Sequence, residues 1–474
     1  MMKIIGRKDE LSRLNQYYKS GKPEFVAIYG RRRVGKTYLV DTCFDQKYDF
    51  YVSGTIEASM AVQLFNFNAA LKRYGGEQTP IAKNWMEAFL ILTQILEAKP
   101  KKERLLIFVD ELPCFDTPRS GFVNAFDTFW NTWASKRANV MLIVCGSATS
   151  WMVENLIDSH GGLHNRITQE IHLKPFCLHE TEEYLKDMGI KWPRLNVAQC
   201  YMAMGGIPYY LSLLNQKESL SKNLDRLFFA KDAILKREYE RLFHALYRKP
   251  EKYMEVVEIL AKSRKGLSRK EIIEKNKMAS GEELTKILRN LEYCDFVRSY
   301  SMSGSPLTSN SKIYQIIDPY TLFYIKFCAQ ATSDPEWWSH NIGKSVQNDW
   351  WGNAFELLCI SHIKQIKEAL GISGIYTEYA GWRSKGGEKA QIDLLIDRAD
   401  DMVSLCEMKY SKTLYILTKS EAAKLERRQN IFEQESKSNK GVQLVLITPM
   451  GLKEGKYSQI ISNVVILDDL FRSE

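Results

Sequence analysis

Gly30–Thr37 reads Gly-Arg-Arg-Arg-Val-Gly-Lys-Thr, and no other stretch limits the fold of this chain so tightly. Before it stands EFVAIYG, a run apolar enough to be buried on both faces of a sheet; from about Lys36 the pattern turns helical. In a strand–loop–helix setting the spacing Gly-x-x-x-x-Gly-Lys-Thr makes a cradle for a phosphate chain. The glycines let backbone N–H groups turn inward around a β-phosphate, Lys36 reaches the outer phosphates, and the Thr37 hydroxyl ligates Mg²⁺. Gly30, Arg31, Arg32, Arg33, Val34, Gly35, Lys36 and Thr37 are therefore expected to bind a nucleotide.

Two further buried strands are expected at RLLIFVDELP and NVMLIVCGSA. Strands alternating with helical segments predict a parallel sheet covered on both faces. Asp110 and Glu111 close the first of these strands, where the first acid can hold Mg²⁺ and the second can orient and deprotonate an attacking water. Ser147 closes the other, with two readings: a hydroxyl sensing the outer phosphate, or a cap on the next helix. Arg166, in GGLHNR, reads either as an arginine finger or as a surface arginine.

The 474 residues exceed a single core, and 45% hydrophobic with 26% charged residues is a globular balance. A net charge of +9 favours a polyanionic partner. The nine cysteines include no Cys-x-x-Cys pair and sit mostly in apolar runs, which predicts reduced, buried thiols in the cytoplasm. No apolar run suits a signal core or a membrane span. His160 and His164 are separated by two glycines, a poor frame for a zinc site.

From Lys252 the texture changes. YMEVVEILAKS is an amphipathic helix, and Ser268 with Glu271, then Ser280 with Glu283, form capping boxes opening two more. In the last, Leu284, Ile287, Leu288 and Leu291 make one apolar stripe, so that Lys286, Arg289 and Asn290 are expected to face away. A hairpin follows, from FVRSYS to KIYQIID. Three helices and a β-wing make a winged helix, which either contacts DNA, through Lys286, Arg289, Asn290, Arg298 and Lys312, or joins protein to protein.

Taken in order, IIGRKDEL, the Gly30–Thr37 loop, VDELP, CGSATSWM, LKPF and GGIPYYL resemble the archaeal-type AAA+ ATPases, over about half the chain. The resemblance implies ATP as cofactor and a hexamer-like or nucleotide-switched module with a helical lid. Arg166 keeps that family's arginine while its neighbours depart from the pattern. IYQIIDPYTLFYIKF, WWGNAFELLCI and GEKAQIDLLIDR…CEMKY resemble the DUF234-type C-terminal domain often fused to these ATPases, which looks like a restriction endonuclease with an Asp…Glu-x-Lys core.

Spacing argues for the same core. Glu407 and Lys409 are two apart on a strand and share a face, and the turn at DRADDM makes a hairpin that can bring Asp393 beside Glu407. Asp393 and Glu407, with Glu356 as a further ligand, would hold Mg²⁺ or Mn²⁺ through oxygen. Lys409 would orient the attacking water or stabilise charge on the phosphorus. Gln391 would position substrate or water, and Arg383, Lys385 and Lys389 suit a phosphate backbone. A salt bridge without chemistry is the competing reading of the same residues.

The expected architecture is α/β: a P-loop AAA+ parallel sheet at 1–177, a helical lid at 178–250, a winged helix at 251–318, a connector at 319–340 and a restriction-endonuclease-like α/β domain at 341–474. The expected partners are nucleic acid, DNA foremost, and further copies of the chain, with no membrane. Two functions compete: an ATPase that cuts nucleic acid, and a nucleotide-controlled scaffold whose last domain only binds.

Overall fold

Five parallel strands organise the N-terminal part of the chain in the computed structural model, which describes residues 4–100, 103–147, 149–157, 166–276, 281–301, 312–329, 333–386, 388–436 and 439–473. They are β1 (Glu24–Tyr29), β2 (Phe50–Ser53), β3 (Leu105–Asp110), β4 (Val140–Gly146) and β5 (Gln169–His172), in the order β2-β3-β4-β1-β5. Every residue of β3 and β4 is buried, as helices on both faces require. The chain leaves β1 for the far edge and returns through β3 and β4, so the loop after β1 opens beside the carboxyl ends of its neighbours. Such a reversal of strand order is where open α/β sheets bind ligands.

One face packs under helices Met60–Gly75 and Trp85–Glu97, whose first turns are capped by the Ser59 and Asn84 side chains. Trp85 is buried there, edge-on to Phe67 at 5.5 Å and to Phe122 at 5.0 Å. The short strands β2 and β5 were not anticipated. Each is four residues long and only partly buried, too short a pattern to separate from loop.

The chain divides into two compact units. The first holds residues up to Pro175 together with Arg241–Pro250 and Tyr293–Asp295; the second holds Phe176–Glu240, Glu251–Glu292 and Phe296–Glu474. Within the second, aromatic side chains bind the helices between residues 176 and 240 to those after 318. Phe323 packs on Phe228 at 4.7 Å, on Trp338 at 5.0 Å and on Trp350 at 5.4 Å.

Three helices, Pro250–Ala261, Arg269–Asn276 and Gly281–Tyr293, stand with a small antiparallel sheet of β6 (Leu267–Ser268), β7 (Val297–Tyr300) and β8 (Ile313–Ile316), ordered β6-β8-β7. The Ser268–Glu271 capping box forms, with Ser268 N–H donating to the Glu271 carboxylate at 2.7 Å. Ser280 lies outside the described residues. Asn290 does not face away as expected: it is buried, and its amide donates to the Tyr253 hydroxyl at 2.8 Å. A polar side chain beside an apolar stripe is drawn inward when a buried hydroxyl can pair with it.

The last sheet is mixed, ordered β13-β12-β11-β10-β9, from β9 (Thr377–Arg383), β10 (Gln391–Arg398), β11 (Met402–Met408), β12 (Gly441–Ile447) and β13 (Asn463–Val465). β10 and β11 form the antiparallel hairpin expected at DRADDM, where Asp401 takes a positive φ of 60°. Helix Lys419–Ser436 covers one face through Leu425 and Phe432. Among the described residues no helix is long and apolar enough to cross a membrane.

Candidate functional site

The loop after β1 depends on its glycines. Gly30 has φ +143°, and a Cβ there would sit 2.3 Å from the Leu173 carbonyl oxygen; Gly35 has φ +91°. Even Arg33 is left-handed, at φ 72°. Lys36 is buried and donates to the carbonyls of Gly30 at 2.9 Å and Arg31 at 3.0 Å, folding back over the loop. Burial lowers its pKa, with the carboxylates of Glu111 and Asp110 acting in the opposite direction. Arg31 is buried as well.

Arg7 was missed as part of this site. Its guanidinium donates to the Lys174 carbonyl at 2.7 Å and lies 3.4 Å from the Val34 carbonyl, tying the loop to the segment after β5. Nothing in the local pattern marked it: an arginine just before a helix reads as a surface residue, and its burial (5% exposed) arises only from the fold.

β3 ends beside the loop. Thr37 Oγ1 donates to Asp110 Oδ2 at 2.8 Å, and the Glu111 N–H donates to Asp110 Oδ1 at 3.0 Å. Burial, then the neighbouring Glu111 charge, raises the Asp110 carboxyl to about 6. Glu111 is left-handed at φ 46°, and its Oε2 accepts from the Ser147 N–H at 3.1 Å and hydroxyl at 2.8 Å. Strands β3 and β4 pair directly, which is why Ser147 meets Glu111. Arg166 is exposed in the turn before β5; His160 and His164 lie outside the described residues.

The second site is a cavity of about 290 Å³ lined by Glu356, Gln391, Asp393, Glu407 and Lys409 together with Arg264, Lys265, Lys389 and Arg428. Leu394 pairs with Cys406, which sets Asp393 opposite Glu407 on one face of the hairpin. The β9–β10 register shifts between Ile392 and Leu395, a bulge that includes Asp393 and bends the strand where its side chain enters the cavity. Gln391 donates to Asp393 at 2.9 Å.

Every carboxylate here is already paired. Lys409 Nζ lies 2.8 Å from Glu407 Oε1, and Arg428 donates to Oε2 at 2.8 Å. Lys265 Nζ lies 3.4 Å from Asp393, and Arg264 pairs with Glu356 through two guanidinium nitrogens. Two facing carboxylates with a third beside them offer the hard oxygen donors that a divalent cation takes. As placed, though, no three His, Cys, Asp or Glu side chains among the described residues are gathered closely enough to hold a metal ion.

Of the basic residues expected here, Lys389 lines the cavity, whereas Arg383 and Lys385 do not. Arg298, expected to touch phosphate, is turned inward: its guanidinium donates to Gln315 Oε1 at 2.9 Å and stacks over Tyr300 at 4.7 Å. Arg428 was overlooked although it falls three residues after Leu425 and four before Phe432, a cation on the apolar stripe of its helix.

Residues 4–214 match the family described as "ATPase domain predominantly from Archaea". Over 407 residues the chain is 25% identical to Uncharacterized protein MJECL04 of Methanocaldococcus jannaschii, spanning 85% of this chain and 86% of that protein. A 44-residue stretch, 9% of this chain, is 39% identical to Uncharacterized ATP-binding protein MJ0423 of the same organism and covers 75% of it. The Walker-type ATPase PABY2304 of Pyrococcus abyssi superposes with a TM-score of 0.50 at 17% identity, over 68% of this chain and 96% of that one, a likeness of fold. With the family match, the strand order and the phosphate loop together, residues 4–214 are an ATPase domain of this archaeal type, and the chain is a P-loop ATPase.

Proposed function

We propose that this ATPase acts on the phosphodiester backbone of nucleic acid, DNA foremost, and that its last domain cuts that backbone with a divalent metal. The observation that carries the reading is the bulged Asp393 facing Glu407, with Lys409 on the same cavity wall. A divalent ion bound there would polarise a scissile phosphate and acidify a water. Around it, Gln391 holds the Asp393 carboxylate in place, Lys409 orients the water, and Lys389 takes a neighbouring phosphate. Glu356 adds a third carboxylate once it leaves Arg264.

At the ATPase site, Gly30–Thr37 hold the phosphates, Thr37 and Asp110 hold Mg²⁺, and Glu111 takes the proton of the attacking water. Ser147 reports the γ-phosphate through its two bonds to Glu111. Arg166 acts on the nucleotide as an arginine finger, in cis or from an adjoining copy. The three helices and β6–β8–β7 serve as a winged helix that meets DNA through the exposed Lys286 and Arg289 and through Lys312.

A binding-only scaffold is the second reading, and the ion pairs of Glu407 with Arg428 and Lys409 favour it, since a filled carboxylate needs no metal. Cleavage assays on single- and double-stranded DNA with Mg²⁺ or Mn²⁺ separate the two. Wild type is expected to cut, with Asp393→Ala and Lys409→Ala inert. Absence of cleavage with either metal, alongside retained DNA binding, would leave the scaffold.

A further inference from the structure

The cavity is closed by side chains from outside its own sheet. Arg264 and Lys265 occupy the centre of a tight turn in which the Gly266 N–H donates to the Ser263 carbonyl at 3.1 Å. Gly266 takes φ +71°, and a Cβ there would lie 2.4 Å from the Tyr314 carbonyl oxygen, so the turn is built against β8. Two side chains of the small sheet pin the turn by its backbone. Gln315 donates to the Arg264 carbonyl and the Tyr300 hydroxyl donates to the Lys265 carbonyl, each at 2.7 Å. Arg298 braces both, bonded to Gln315 and stacked on Tyr300.

The result is a rigid turn that sends one cation to Glu356 and the other to Asp393. Those are two of the three carboxylates that face the cavity. Positive charges on oxygen donors compete directly with a divalent cation for the same lone pairs.

We propose that Arg264 and Lys265 are a built-in counter-ion pair that keeps divalent metal out of the Asp393–Glu407 cavity until the turn carrying them is withdrawn. The idea rests on the reading of that cavity as a metal site and adds its regulation. Metal loading is then linked to the position of the small helical module, because the turn cannot leave the carboxylates without carrying β6 and β8 or breaking its bonds to Gln315 and Tyr300. A ligand that draws this module away, a nucleic-acid phosphate backbone foremost, releases the two cations and the two carboxylates together.

Mn²⁺ binding to the nucleotide-free 474-residue chain, followed by the EPR signal of the free ion, tests this. The Arg264→Ala/Lys265→Ala chain is expected to bind Mn²⁺ about tenfold more tightly than wild type, two partly exposed pairs having been removed. Adding Asp393→Asn should abolish that gain, and Arg264→Lys/Lys265→Arg should bind as wild type does. Removing two exposed cations elsewhere, Lys222→Ala/Arg237→Ala, controls for net charge and should change affinity less than twofold. An equal gain in that control, or no gain in the first variant while binding still depends on Asp393, overturns the counter-ion proposal and leaves the metal site standing. Mn²⁺ binding indifferent to Asp393 in every chain overturns both. The substituted side chains are 48% and 40% exposed and the turn's backbone bonds do not involve them, so the variants are expected to fold.

Discussion

Ser147 gives both its backbone N–H and its hydroxyl to one oxygen of Glu111, at 3.1 and 2.8 Å. This fixes the carboxylate proposed above to take the proton of the attacking water, across the ends of two paired strands. Ser147→Ala removes the hydroxyl and keeps the N–H. A hydrogen bond to a charged acceptor is worth about 1.5–3 kcal/mol, so turnover should fall roughly ten- to a hundredfold. Nucleotide affinity should stay within about twofold of wild type, because Ser147 bonds Glu111 and not the phosphate loop. Steady-state hydrolysis with a parallel binding titration checks this, and unchanged turnover would sink the role given to Ser147.

The loop's first glycine carries a steric test. With φ +143° and only 2.3 Å between a built Cβ and the Leu173 carbonyl, Gly30→Ala must move the segment after β5. A cost of about 1–3 kcal/mol in stability is expected, along with loss of nucleotide binding. Gly35→Ala meets open space despite its positive φ, so its stability loss should be smaller. Denaturant unfolding of the two variants ranks them, and the reverse order would refute the account.

Asp110 sets a pH dependence. Burial, and then the neighbouring Glu111 charge, raises its folded carboxyl to about 6 from the ordinary aspartate value of 3.8. Between those two values the native state keeps a proton that the unfolded state has lost. This group's contribution to stability therefore falls as pH rises through the window and is constant above it. Mg²⁺ needs the ionised form. The Mg²⁺-dependent gain in ATP affinity should thus shrink below pH 6 by up to about tenfold per unit. Titrations with and without Mg²⁺ from pH 5 to 8 measure that gain, and a flat profile would contradict it.

Trp85 anchors the helical layer over the first sheet, 1% exposed and edge-on to Phe67, Phe115 and Phe122. Trp85→Ala should cost about 3–5 kcal/mol. Trp85→Phe should cost less, because its ring refills much of the space that alanine leaves empty; both variants remove an indole N–H that is buried without a hydrogen-bond partner among the described residues. Denaturant unfolding of the two variants ranks them, and equal losses would refute the packing account.

How much could be read before the fold was known follows from the range of each interaction. The phosphate loop, its strand and helix, the acids after β3 and the β10–β11 hairpin are local patterns, legible because backbone geometry alone dictates residue type and spacing. Strands β2 and β5 were illegible because four half-buried residues carry no distinct period. Asn290 and Arg298 were misread because an amphipathic pattern says which residues are apolar, not whether a buried hydroxyl or amide waits for the polar ones. The facing of Asp393 and Glu407 was legible in the hairpin register, whereas the bulge that bends the strand at Asp393 depends on pairing with β9.

By itself the sequence determined a nucleotide-binding parallel sheet and a hairpin bearing Asp393, Glu407 and Lys409. Only the tertiary structure decided that Ser147 bonds Glu111, that Arg7 ties the phosphate loop, and that Arg264, Lys265 and Arg428 fill the carboxylate cavity. Those partners lie from 21 to 167 residues apart along the chain, and electrostatic and hydrogen-bond contacts at such separations leave no periodic trace; they exist only once packing has closed the distance.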